Sequence, residues 1–173
     1  MLREAFLDAM SLTAATVTVV TTDGPAGRAG VTVSAMTPVA ADGDSPTILV
    51  CINAASRSVQ SILENGRFCL NILREDQQAV ADAFAGRLPE FSEDKFACAP
   101  WLDTPTGSPR LKGALAALDC HVGSAHRQDT HHVIFGSVGT ITRGAHGDPL
   151  VHCNRAYRTL GGHGAGIARR KAS

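Results

Sequence analysis

All seven residues from Thr16 to Thr22 are β-branched, and Asp23-Gly24-Pro25 follows them directly. Such side chains fit a pleated surface better than a helix, so the segment reads as a strand ended by a turn. The signature recurs along the chain. Over Gly30–Met36, Val31, Val33 and Ala35 alternate with Thr32 and Ser34, and the short connection makes these two strands an antiparallel hairpin. Past the turn cluster Asp42-Gly43-Asp44-Ser45-Pro46, the nearly unbroken apolar run Thr47–Ile52 suits a strand buried on both faces. Phe68, Leu70 and Ile72 alternate over Arg67–Leu73. Two long strands are expected at Ala114–His126 and Thr130–Arg143, turning at Gln128-Asp129, and a short one at Pro149–Cys153.

Helical spacing is confined to a few places. Residues 3–12 carry Phe6, Ala9 and Met10 on one side. Ser56–Asn65 has Val59, Ile62 and Leu63 on one face, Ser56 or Ser58 to cap it and Asn65-Gly66 to end it. Gln77–Ala85 places Val80, Ala81 and Phe84 together, and Arg155–Leu160 reads as a last helical turn. Residues 86–110 contain Pro89, Pro100, Pro105 and Pro109 and read as a long loop, of the kind that is functional or forms a lid. The order lacks regular βαβα alternation. A mainly β, antiparallel barrel with inserted helices is the expected fold, since closure removes strand edges. A chain of 173 residues fits one domain.

Composition narrows the function. Lysine plus arginine equals aspartate plus glutamate at 16 each, which gives no electrostatic case for nucleic acid or an anionic membrane as partner. The basic cluster Arg169, Arg170 and Lys171 follows a glycine-rich run and reads as a flexible tail over 163–173. No stretch approaches the roughly 20 apolar residues of a membrane helix, and the N-terminus has no signal-peptide core. Five cysteines without a CxxC pair argue against a disulfide framework or a zinc site, so a cytoplasmic setting is expected. There is no GxGxxG, no phosphate loop, and no HExxH, GxSxG or paired-carboxylate signature. His131 and His132, adjacent on a strand, point to opposite faces and cannot chelate one ion.

One group of residues has the chemistry of a binding site. The apolar strand ends in Cys51-Ile52-Asn53, and Ser56-Arg57-Ser58 opens a helix. Free N–H groups, hydroxyls and a guanidinium there suit a phosphate, though an ordinary N-cap with an exposed arginine uses the same residues. Thr32, Ser34 and Thr37 add hydroxyls that β propensity alone also explains. His131 opens a strand and, by itself, carries no assigned task.

Taken together, these segments resemble the flavin reductase domain family with the FMN-binding split-barrel fold. The likeness runs from about Phe6 to Leu160. It is carried by Val17-Thr18-Val19-Val20-Thr21-Thr22-Asp23-Gly24, Gly30–Thr37, Pro46–Asn53 with Ser56-Arg57-Ser58, and Arg67–Leu73. Phe84-Ala85-Gly86, Lys95-Phe96, Trp101, Leu118-Asp119-Cys120, Thr130-His131 with Gly136, Pro149-Leu150-Val151 and Tyr157 continue it in family order. The nearest likeness is to reductase components of two-component monooxygenases, such as the partner of 4-hydroxyphenylacetate 3-monooxygenase. The resemblance implies one flavin reductase domain over 1–162, hydride transfer from NADH (or NADPH) to FMN or FAD, a homodimer, and a flavin-dependent oxygenase as recipient. It places Thr32, Ser34, Ala35, Met36 and Thr37 against the isoalloxazine and ribityl chain, with Cys51, Ile52 and Asn53 in the same pocket. It assigns the phosphate to Ser56, Arg57 and Ser58, and a flavin contact to Phe84 and Ala85. His131 sits near the nicotinamide in this reading, and Arg155 and Tyr157 close over it. A non-catalytic flavin- or haem-binding barrel and a flavin oxidase are the alternatives. Departures from the family pattern are Gly43-Asp44-Ser45 before Pro46, His152-Cys153 where an aromatic pair is usual, and Ser58 in place of threonine.

Overall fold

The computed structural model describes residues 1–144 and 146–160. Its helices are α1 (Leu2–Ser11), α2 (Arg57–Asn65) and α3 (Gln78–Phe84). Its strands are β1 (Ala15–Thr16), β2 (Thr18–Thr22), β3 (Ala29–Val33), β4 (Met36–Ala40), β5 (Thr47–Asn53), β6 (Arg67–Ile72), β7 (Trp101–Asp103), β8 (Pro109–Leu111), β9 (Ala116–Gln128), β10 (His131–Arg143), β11 (Val151–Cys153) and β12 (Ala156–Arg158). The main sheet runs β3-β2-β6-β9-β10-β5-β4, antiparallel throughout. Its two outermost strands, β3 and β4, are successive in the chain. A bend at Ser34-Ala35 therefore brings the sheet's edges round to each other, and the Cys51 N–H donates to the Ala35 carbonyl (2.9 Å). The result is the expected barrel, split alongside β3, whose flank away from β2 has no strand partner over Ala29–Val33.

Two cores hold this shape. Inside the barrel, Val20, Val50, Ile52, Phe68, Leu70 and Ile134 pack with Val59 and Ile62 of α2. Gly136 is what lets Phe68 fill the barrel: a Cβ there would lie 2.4 Å from the Phe68 ring. Outside it, α3 presses Val80, Ala81 and Phe84 onto Val17, Val19, Leu73 and Leu150. Burying each such side chain is worth about 1.5–3 kcal/mol.

Several expectations change at the level of elements. The β-branched run is two strands, because Val17 leaves the ladder. Its N–H donates to the Leu150 carbonyl (2.8 Å) and its carbonyl accepts from Leu73 (3.1 Å), which carries the chain from a small sheet, β1-β11-β12, into the main one. The Gly30–Met36 strand stops at Val33, and β4 was not foreseen. The run Thr47–Ile52 is not buried on both faces: Ile48, Val50 and Ile52 are buried while Leu49 and Cys51 are half-exposed, because only one face of β5 meets the barrel interior.

Residues 86–110 are not one loop. They hold two short 3₁₀ turns and the β7–β8 hairpin, fastened by the buried Asp119. Its carboxylate accepts from the Thr104 hydroxyl (2.8 Å) and from the Thr106 N–H (3.0 Å) and hydroxyl (2.6 Å). Phe96 and Trp101 pack edge-on against Phe84 and each other, so this segment is fixed in the second core and is no lid. The helical turn expected at Arg155–Leu160 is instead the hairpin β11–β12, turned by Asn154 and Arg155 at φ 51° and 58°. The tail expected over 163–173 lies outside the described residues.

Candidate functional site

The split in the barrel is where the candidate residues meet. Thr32 and Ser34–Ala35 form one wall, and Cys51, Ile52 and Asn53 at the end of β5 form the other, with His131 at the mouth. Strand register explains the last placement, since His131 pairs with Asn53 across β10 and β5. The wall contributed by β3 is a free strand edge. Main-chain N–H and C=O groups on such an edge are an alternating row of donors and acceptors.

A second cavity of ≈ 500 Å³ adjoins the first through Val31 and Thr32 and is bounded by Ser56, Arg57, Ser58, Phe84, Ala85 and Lys95. Ser56 is the N-cap of α2, and its oxygen accepts from the Ser58 N–H (3.3 Å). The Ser58 hydroxyl donates to the Gly30 carbonyl (2.7 Å), and the Thr32 hydroxyl donates to the Ala81 carbonyl (2.6 Å). Each of those protons is committed to the fold, which leaves the Ser58 hydroxyl unable to donate to a phosphate in this arrangement. Arg57 is exposed and makes no ion pair among the described residues. With the uncapped N–H groups of α2 beside it, Arg57 is the side chain best suited to an anion. Phe84, 1% exposed, reaches the cavity only from within the second core.

A third cleft, also bordered by Thr32 and Ser34, is lined by Ala85, Arg87, His152 and Tyr157. The Tyr157 hydroxyl donates to Asp82 Oδ1 (3.0 Å), and Arg87 Nη1 donates to the same oxygen (3.0 Å) and to the Tyr157 hydroxyl oxygen (3.1 Å). Burial and the Asp82 carboxylate push the Tyr157 phenol up to about 12. Burial likewise raises the Cys51 thiol, so it stays protonated at neutral pH and is no nucleophile.

Three expected residues are not brought to these walls. Met36 packs towards the barrel core and Thr37 is exposed on β4, past the bend. Arg155 pairs with Asp8 of α1 and borders a separate recess that it shares with Ser34 and His152. Conversely, Arg28, Arg87, Lys95 and His152 line the clefts without having been singled out from sequence. For Lys95 the signal was there, in the length of the segment that carries it. Arg87 follows Gly86, whose φ of 73° ends α3, but nothing local aims its side chain.

Comparison with known proteins agrees with this architecture. The model of the flavin reductase like domain matches residues 10–161. An FMN reductase (NADH) RutF of Methylorubrum extorquens is 40% identical over 156 residues, 90% of this chain and 74% of that protein. One of Enterobacter cloacae is 39% identical over 158 residues, 91% and 94% of the two chains. Among solved structures, a nitrilotriacetate monooxygenase component B from Mycobacterium thermoresistibile superposes with TM-score 0.82 at 32% identity, covering 91% of this chain and 86% of the other. BorF, the flavin reductase component of a bacterial two-component tryptophan halogenase, does so with TM-score 0.78 at 30% identity, over 91% and 98%. By sequence along nearly its whole length, and by a barrel split beside β3, this chain belongs to the flavin reductase like domain family.

Proposed function

We propose that the chain is an NADH-dependent flavin reductase that supplies reduced FMN to a separate oxygenase. One observation carries the reading: a free strand edge, the end of β5 and the start of α2 with Arg57 lie in sequence along one continuous depression. A flavin mononucleotide has a flat ring with alternating acceptors and a donor along one edge, and a phosphate at the far end of a flexible chain. The strand edge fits the first and Arg57 the second. The names of the relatives, FMN reductase (NADH), support the same reading.

The flavin, when bound, supplies the hydride-accepting chemistry. The protein's part is to position and to exclude water. The main chain of β3 and Ser34-Ala35 holds the polar ring edge, Cys51–Asn53 cover it from β5, and Arg57 with the Ser56 hydroxyl and the α2 N–H groups holds the phosphate. The nicotinamide approaches from the side of His131, which shares a hydrogen bond with the Thr130 hydroxyl (3.0 Å) and can turn a ring N–H to a carboxamide. Tyr157, fixed by Asp82, forms the wall of the neighbouring cleft that receives the rest of the dinucleotide. No group need ionise, which accounts for the lack of a catalytic acid–base pair.

In this reading residues 1–162 form one domain that works in the cytoplasm, consistent with five free cysteines. A second copy covers the apolar side chains that α1 leaves exposed, among them Phe6, Leu7 and Met10. The test is NADH consumption with FMN, FAD or riboflavin added in turn. Flavin-dependent oxidation is expected. Flavin uptake without NADH oxidation would leave a binding protein and end the proposal, as would oxidation that needs an organic substrate.

A further inference from the structure

The phosphate end of the site does not stop at Arg57. A further cleft opens beyond it, sharing Arg57, Ser58 and Lys95 with the first and continuing between Arg28 and the segment Ser92–Phe96. Its far wall is built in layers. The Arg28 guanidinium lies 4.0 Å over the centre of the Phe96 ring, and Phe96 is in turn held edge-on by Phe84 and Trp101. One face of the guanidinium is therefore occupied by Phe96, while the arginine itself is exposed.

Charge is unevenly distributed around this cleft. Arg28, Arg57 and Lys95 make no salt bridge among the described residues. Lys95 Nζ is half-buried, and its one described contact is donation to the Phe84 carbonyl (3.2 Å). Of the two carboxylates on the rim, Asp94 is committed, accepting from the Phe96 N–H (2.9 Å). Glu93 is exposed and has no described partner. The cleft thus offers cations in excess, a planar cationic platform with an open face, and one carboxylate able to accept from hydroxyls.

We propose that Arg28, Lys95 and Glu93 form an adenylate subsite, taking the second phosphate, the adenine face and the ribose diol of a ligand whose first phosphate lies at Arg57. The proposal rests on the flavin reading above and extends it: the chain then accepts FAD as well as FMN. A second phosphate continuing from the first enters the shared trough between Arg57 and Lys95. Adenine stacks on the outer face of the Arg28 guanidinium, a cation–π and planar contact that lysine cannot reproduce. The Glu93 carboxylate accepts from the ribose hydroxyls. The same adenylate chemistry is carried by the nicotinamide dinucleotide, and the experiment separates the two sources.

The full chain, as wild type, Arg28→Gln and Glu93→Gln, is titrated with riboflavin, FMN and FAD by flavin fluorescence, and its KM for NADH is measured at saturating FMN. FAD affinity is expected to fall about tenfold in Arg28→Gln, the scale of one lost charge-assisted contact, with FMN affinity unchanged within about twofold. Glu93→Gln, which leaves the packing on Phe96 intact, is expected to weaken FAD a few-fold and FMN not at all. A raised KM for NADH with FAD binding intact would assign the same subsite to the dinucleotide. Equal losses for FMN and FAD, or no change for FAD and NADH in either variant, would overturn the subsite while leaving the reductase reading in place. Failure of the wild type to take up any flavin would remove that reading, and the subsite with it. FMN affinity serves as the check that each variant is folded.

Discussion

Arg57 and Ser58 are neighbours with opposite duties. The guanidinium of Arg57 is exposed and unpaired among the described residues, whereas the Ser58 hydroxyl is buried and donates to Gly30. Arg57→Ala should weaken FMN about tenfold or more and leave riboflavin, which has no phosphate, unaffected; paired fluorescence titrations decide this. Ser58→Ala should do the reverse. It removes a buried hydrogen bond and orphans the Gly30 carbonyl, at a cost of about 1–3 kcal/mol read as a lower urea midpoint, with FMN affinity largely kept. His131→Ala should slow NADH turnover at saturating FMN while flavin affinity holds. Wild-type turnover in that variant would end its assignment to the nicotinamide side.

At the scale of elements, the β7–β8 hairpin depends on a single carboxylate. Asp119→Ala would leave the hydroxyls of Thr104 and Thr106 and the Thr106 N–H without their partner. The expected result is faster proteolytic nicking near 104–108 and a loss of about 2–4 kcal/mol in stability, with NADH:FMN turnover per folded molecule unchanged. This hairpin also shows what local sequence could not reveal. Strands such as Thr18–Thr22, Thr47–Asn53 and Arg67–Ile72 were legible because period and β-branching are local properties, and α2 was legible because Ser56 and Gly66 cap it. Trp101–Asp103 and Pro109–Leu111 have no such period; they are strands because Asp119, many residues later, gathers the turn between them. The bend at Ser34-Ala35 was hidden for a like reason, since only closure of the barrel demands it. Arg57 was visible as an anion ligand because its helix start is local, while Arg28 and Arg87 reach the clefts through tertiary packing alone.

For the whole molecule, acid and alkali act unequally. Burial pushes the Cys120 thiol up to about 12 from an ordinary 9.0, and raises Cys69 as well, with the Asp119 charge adding to each. Tyr157 moves the same way. For groups raised in the folded state, the unfolded chain releases its protons first as pH increases. Stability is then fully present below about pH 9 and declines as pH rises towards 12. Denaturant midpoints measured across that range should fall, and Cys120→Ala should flatten the fall.

The unpaired flank of β3 has a bearing on handling the protein. An exposed strand edge is a template on which another chain can add a strand. If a flavin lies along that flank, it also shields it. Preparations stripped of flavin should then scatter more light on storage and heating, and should clear when FMN is restored, with no change in thermal midpoint needed to explain it. Equal scattering with and without FMN would show that the ligand offers this edge no protection.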